Sequence, residues 1–106
     1  MSFIKAILSY LKFKQKKNQT KSIKFGDSYA VTTGTYVGEI FIYVKTENNA
    51  HCFLSIPKML NREVPEDKFK YAKDNKVIEF LECVPKNERA LCKLQYEYNE
   101  EQDTNN

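Results

Sequence analysis

Apolar residues at Ile4, Ile7, Leu8 and Leu11 follow the i, i+3, i+4, i+7 spacing of one helix face, so the chain is expected to open with an amphipathic helix over residues 3–13. Lys5, Lys12 and Lys16 fall off that stripe, and "KQKKNQTKS" reads as a polar linker. So short a helix is not stable alone in water, and its stripe needs a surface to dock on. The period then changes from helical to alternating. "SYAVTT" sets Tyr29, Val31 and Thr33 against Ser28, Ala30 and Thr32, a strand pattern, and Gly34 suits a tight turn because it tolerates positive φ. "TYVGEIFIYVK" places Tyr36, Ile40, Ile42 and Val44 on one side and Val37, Phe41 and Tyr43 on the other. Both sides are half apolar, as in a strand that bends between two sheets of a small barrel, with Gly38 at the bend or bulge.

"TENNA" is the next turn, "HCFLSI" a third strand stopped by Pro57, and "REV" a short fourth strand ended by Pro65. Pro65 suits the first position of a helix, with Glu66 and Asp67 in its first turn and Lys70 and Lys73 in its last, which complements the helix dipole. "VIEFLECV" spaces its apolar residues at 77, 80, 81 and 84 and reads as helix, although so short an apolar run equally fits a buried strand. Pro85 breaks it. "KNERALCKLQYEYNEE" gives Leu91, Leu94 and Tyr98 one face of a closing helix that frays into an acidic tail.

Composition adds one fact that the pattern hides. At 106 residues, 42% hydrophobic and 29% charged, the chain has room for one globular domain. Its net charge of +3 is unevenly laid out: residues 1–26 hold seven lysines and no acid, whereas residues 27–106 hold ten bases against fourteen acids. A basic arm therefore precedes a mildly acidic body and an acidic tail. Lysine outnumbers arginine, and Asn, Ile, Tyr and Phe are common; these residues share AT-rich codons, which points to a low-GC genome such as that of a large tailed phage or an AT-rich bacterium. Three cysteines without a CxxC pair, and an apolar stretch between Lys5 and Lys12 too short for a signal peptide or a membrane span, make the cytoplasm the expected compartment.

The residues Phe25, Gly26, Asp27, Tyr29, Val31, Gly34, Tyr36, Gly38 and Glu39 together resemble a KOW motif, the two-strand core of certain SH3-like barrels. "REVPEDKF" is similar to the last strand of such a barrel running into a helical turn, so the resemblance spans residues 23–69. It implies a small barrel that binds RNA or protein. The loops here offer Asp27, Glu39 and Glu47 where an RNA-binding member would offer Lys or Arg, which turns the barrel toward protein. The expected fold class is thus α+β: a small SH3-like, KOW-type β-barrel with an N-terminal amphipathic helix and C-terminal helices. The chain divides into a basic helix and linker over 1–22, one globular domain over 23–98 (barrel 23–65, helices 66–98) and an acidic disordered tail over 99–106.

Candidate chemistry is sparse. His51 and Cys52 with Cys83 and Cys92 lack the short ligand spacing of a zinc site, and adjacent strand residues point to opposite faces. The same argument weighs against Cys-His catalysis. Glu79 with Glu82, and Glu63, Glu66 and Asp67, read as a solvated face, and there is no P-loop or GxGxxG. No cofactor is expected and no enzyme. Tyr29, Tyr36, Phe41 and Tyr43 are too many aromatics for the inside of a small barrel, so some are expected in a protein-binding patch. Lys5, Lys12, Lys14, Lys16, Lys17, Lys21 and Lys24 carry three readings: phosphate contacts to nucleic acid, a membrane surface, or a helix that docks on the barrel or on a second copy as a homo-oligomer. The leading expectation is a non-enzymatic accessory protein of phage type that binds and modulates a host or phage protein. Nucleic acid through the lysine arm is the alternative, and peripheral membrane attachment the further one.

Overall fold

In a computed structural model the described residues are 23–105. They form β1 (Asp27–Val31), β2 (Ile40–Glu47), β3 (Ala50–Ile56), β4 (Leu60–Pro65), α1 (Glu66–Asp74), β5 (Ile78–Cys83) and α2 (Lys86–Asn105). Every pairing is antiparallel, in the order β4-β3-β2-β1-β5. The first four strands form a meander; α1 then carries the chain across one face to the far edge, where β5 joins β1.

This corrects the barrel. Closure would need the first and last strands of the sheet to pair, but β4 pairs with β3 and β5 with β1, so both edges stay open. What suggested a barrel has another cause. Ile40, Ile42 and Val44 of β2 join Cys52, Leu54 and Ile56 of β3 on one face, under Cys92 and Tyr96 of α2. Phe41, Tyr43 and Phe53 join Tyr29 and Val31 on the other, against Phe69 of α1. The strands are apolar on both sides because each face is covered by its own helix. Ile42, Phe53, Leu54, Leu81 and Tyr96 are almost wholly buried, each worth about 1.5–3 kcal/mol for an apolar side chain of this size.

Residues 78–83 are strand rather than helix. Their alternation survives in the packing: the Phe80 ring meets Tyr29 on the α1 face while Leu81 enters the core under α2. Gly38 does not bend a strand. It ends the Thr32–Gly38 loop at φ +93, where Gly38 donates to the Val31 carbonyl at 3.0 Å and Val31 to that of Glu39 at 3.0 Å. Bulges do occur, between Tyr43 and Lys45 and between Asp27 and Tyr29. The β2–β3 turn is made by Asn48 and Asn49, both at positive φ as a two-residue hairpin of primed type requires. The Asn49 carbonyl accepts from Glu66 at 3.1 Å, tying the start of α1 to that turn. Pro65 stands at the helix cap rather than at the first helical position. α2 runs on as helix to Asn105, over residues read as an acidic tail. The N-terminal helix expected over 3–13 lies outside the described residues.

Candidate protein-binding groove

α2 is a helix with two apolar faces, and one of them is unused. Cys92 and Tyr96 seat it on the sheet, whereas Leu91, Leu94 and Tyr98 are 64%, 62% and 56% exposed. Facing them across a channel are Pro57 and Met59 of the β3–β4 turn, with Leu54 and Ile56 as the floor, and the channel encloses about 750 Å³. A polar clasp holds this channel open. The Asn99 amide donates to the Met59 carbonyl at 3.1 Å and to Asn61 Oδ1 at 2.7 Å, Gln95 donates to Asn99 at 2.9 Å, and Asn61 donates to the Tyr96 carbonyl at 3.1 Å. These bonds fix helix to turn, so the groove is built into the fold.

One end of the groove is polar. Glu88 lines it, and its Oε1 is buried without a hydrogen-bond partner among the described residues. Beside the groove, the part of α2 after Lys93 carries Glu97, Glu100, Glu101 and Asp103 and no base. Lys45 reaches across from β2 to Glu100 at 3.5 Å and to Glu47 at 3.4 Å, with its ammonium 5.5 Å from the Tyr96 ring centroid.

The expected aromatic patch is not assembled. Tyr29, Phe41 and Tyr43 are buried in the core beneath α1. There Tyr29 meets Phe69 edge-on at 5.4 Å and Phe41 packs on Phe53 at 5.4 Å. Tyr36 is exposed, but its ring lies over the Arg62 guanidinium at 4.1 Å. Among the described residues the other exposed aromatics are Tyr71, Phe80 and Tyr98, and Tyr98 shares its surface with the exposed Leu91 and Leu94. Lys24 is exposed, and Lys5, Lys12, Lys14, Lys16, Lys17 and Lys21 lie outside the described residues.

A cluster missed in the sequence sits under Tyr36. Glu39 is 5% exposed and accepts from Ser55 Oγ at 2.5 Å and from Arg62 at 3.2 and 3.1 Å, with the Lys58 ammonium at 3.6 Å. Burial works to raise the Glu39 carboxyl, but the bonds from Arg62 and Ser55 and the nearby positive charges outweigh it and hold the group below its ordinary range. A charged residue inside the apolar run "GEIFIYV" was the available signal.

His51 is a packing ring. It stands edge-on to Phe69 at 4.8 Å, its Nδ1 is 2.8 Å from Thr46 Oγ1, and burial holds its pKa below the ordinary value, aided by Lys73 and opposed by Glu66. Cys52 lies on the opposite face under α2. Burial raises the pKa of all three thiols, that of Cys92 to about 11, so none is a ready thiolate at neutral pH. Among the described residues no three His, Cys, Asp or Glu side chains converge as metal ligands would. Glu79 and Glu82 stand on β5, Glu63 on β4, and Glu66 and Asp67 in the first turn of α1. No helix among the described residues is long and apolar enough to cross a membrane.

No protein-family model, curated protein or solved structure matches this chain.

Proposed function

We propose that this chain is a non-enzymatic binding module that holds an apolar segment of a protein in the groove between α2 and the β3–β4 turn. The observation that carries the reading is the exposed row Leu91, Leu94 and Tyr98, set opposite Met59 and braced by the Asn99 clasp. Large apolar side chains in a contiguous, pre-formed channel mark a surface meant to be covered. The two cores cover the sheet faces, and the groove adds exposed apolar groups at the rim of the core under α2, whose Leu54 and Ile56 form its floor. Three unpaired cysteines support a cytoplasmic setting. The abundance of Lys, Asn, Ile, Tyr and Phe, residues with AT-rich codons, supports a phage-type accessory protein acting on a host or phage protein. The lysine arm of residues 1–26 remains the support for nucleic acid as a second partner.

The test immobilises the full chain and its Leu94→Glu variant, each with and without nuclease, and scores any protein retained, free copies of this chain included. The expected result is a protein retained after nuclease by the wild type and lost from the variant. Retention that survives Leu94→Glu, or that disappears with nuclease, overturns the reading.

A further inference from the structure

We propose that the resident occupant of the groove is a segment of this same chain, residues 3–13, which any outside protein must displace. The inference rests on the groove being a surface that holds an apolar protein segment, and it names the segment. Met59, Leu91, Leu94 and Tyr98, all exposed, meet in this groove. The other large apolar side chains exposed among the described residues do not gather. Tyr36 lies on Arg62, and Val37, Leu60, Tyr71 and Phe80 stand apart on the Thr32–Gly38 loop, β4, α1 and β5. The row Ile4, Ile7, Leu8 and Leu11 spans seven positions of the sequence. Leu91 to Tyr98 spans seven as well, a run of about 10 Å along α2.

Charge selects the same segment. Glu88 is the one charged residue among those that line the groove, and its Oε1 is buried without a hydrogen-bond partner among the described residues. A carboxylate so placed favours an occupant that brings cationic donors and disfavours one that brings acids. Residues 1–22 hold six lysines and no acid. Lys5 and Lys12 stand next to the two ends of the apolar row, so either direction of entry supplies a base for Glu88. The start of the described chain is also in reach. The Phe25 ring centroid is 5.9 Å from the Arg89 guanidinium, and Val84 donates to the Gly26 carbonyl at 2.9 Å, so the chain passes the first turns of α2, where Glu88 stands. Nine residues, 14–22, join the segment to Ile23 and reach about 30 Å when extended, enough to pass a helix about 10–12 Å across. Tethered so closely, the segment meets the groove at an effective concentration on the order of millimolar, which favours it over the same segment of a second copy.

Methyl NOE spectroscopy of the full chain tests the proposal. Cross-peaks are expected between the methyls of Leu91 or Leu94 and those of Ile4, Ile7, Leu8 or Leu11. An equal mixture of carbon-13-labelled and unlabelled chains is expected to show none between copies. Leu94→Glu and, separately, Ile7→Glu with Leu8→Glu are each expected to abolish the cross-peaks of the methyls that remain, while the methyl shifts of the buried Ile42 stay in place and report an intact core. A wild type without these cross-peaks, cross-peaks that survive either variant, or cross-peaks found only between copies overturns the inference. A wild type without them whose Leu94-dependent capture of a foreign protein persists removes the segment and leaves the groove reading standing; loss of both removes both.

Discussion

Replacing Glu39 with glutamine removes one negative charge and leaves the side chain's shape. In the native chain that carboxylate is 5% exposed and takes hydrogen bonds from Ser55 and twice from Arg62. Hydrogen bonds to a charged partner contribute about 1.5–3 kcal/mol, and stranding a buried partner costs about 3–5 kcal/mol. Two features lower that figure here. The Arg62 side chain is 19% exposed and regains some hydration, and Lys58 at 59% exposed contributes little. Glutamine also keeps one acceptor oxygen for Ser55 or Arg62. The expected loss is about 2 kcal/mol, a drop of roughly 8–16 °C in Tm for a domain of this size.

The pH dependence separates charge from packing. The folded Glu39 pKa is depressed, so its stabilisation is complete above the unfolded carboxyl value of about 4.3 and is lost as pH falls through the lower folded value. Thermal unfolding followed by circular dichroism at neutral and acidic pH is the assay. The gap between wild type and Glu39→Gln should be widest near neutrality and close on acidification below the folded pKa. A variant as stable as wild type at neutral pH, or a gap that stays equally wide down to about pH 2, refutes the reasoning.

Gly26→Ala should destabilise the chain by about 1–3 kcal/mol in urea denaturation, since φ is +95 and the new Cβ would stand 2.7 Å from Arg89 Cδ and 3.1 Å from Cys83 Sγ. Gly34→Ala, at φ +94 with nothing within 4 Å, should cost less, and equal losses would count against the close contact as the cause. His51, like Glu39, has a folded pKa below its unfolded one and so loses stability on acidification, in a higher pH window. Its folded pKa lies below the unfolded value of about 6.5, so the unfolded chain takes up its proton first and stability falls as pH drops through that value. His51→Phe should gain in Tm relative to wild type between about pH 7.5 and pH 5; a difference that does not change with pH would contradict the buried, neutral ring.

The strands of the meander were legible because their signals are local. The alternation of Ile40, Ile42 and Val44 against Phe41 and Tyr43 is the alternation of the two cores, and Asn48-Asn49 marks its own hairpin. The barrel was misread from the same residues. A strand buried on both faces looks alike whether a second sheet or a pair of helices covers it, and nothing in "GEIFIYV" says which. β5 was hidden for a related reason: Ile78 and Phe80 serve one face and Leu81 the other, and this short edge strand also satisfies helical spacing. The stripe Leu91, Leu94 and Tyr98 was visible, but periodicity could not show that Cys92 and Tyr96 would win the place on the sheet. The Glu39–Arg62 pair joins residues 23 apart through strand register, a separation at which one sequence carries little pairing information.

The groove as a protein-binding surface is tested most directly by site-specific photo-cross-linking. A photoreactive side chain replaces Leu94 in the full chain, and in a matched control it replaces Glu79, exposed on β5 at the opposite edge of the sheet. Cross-linked peptides are then sequenced. The expected result is a protein adduct at position 94, mapped to apolar residues of the partner, with none at position 79. Adducts of equal yield at both positions, or none at position 94, would contradict the account.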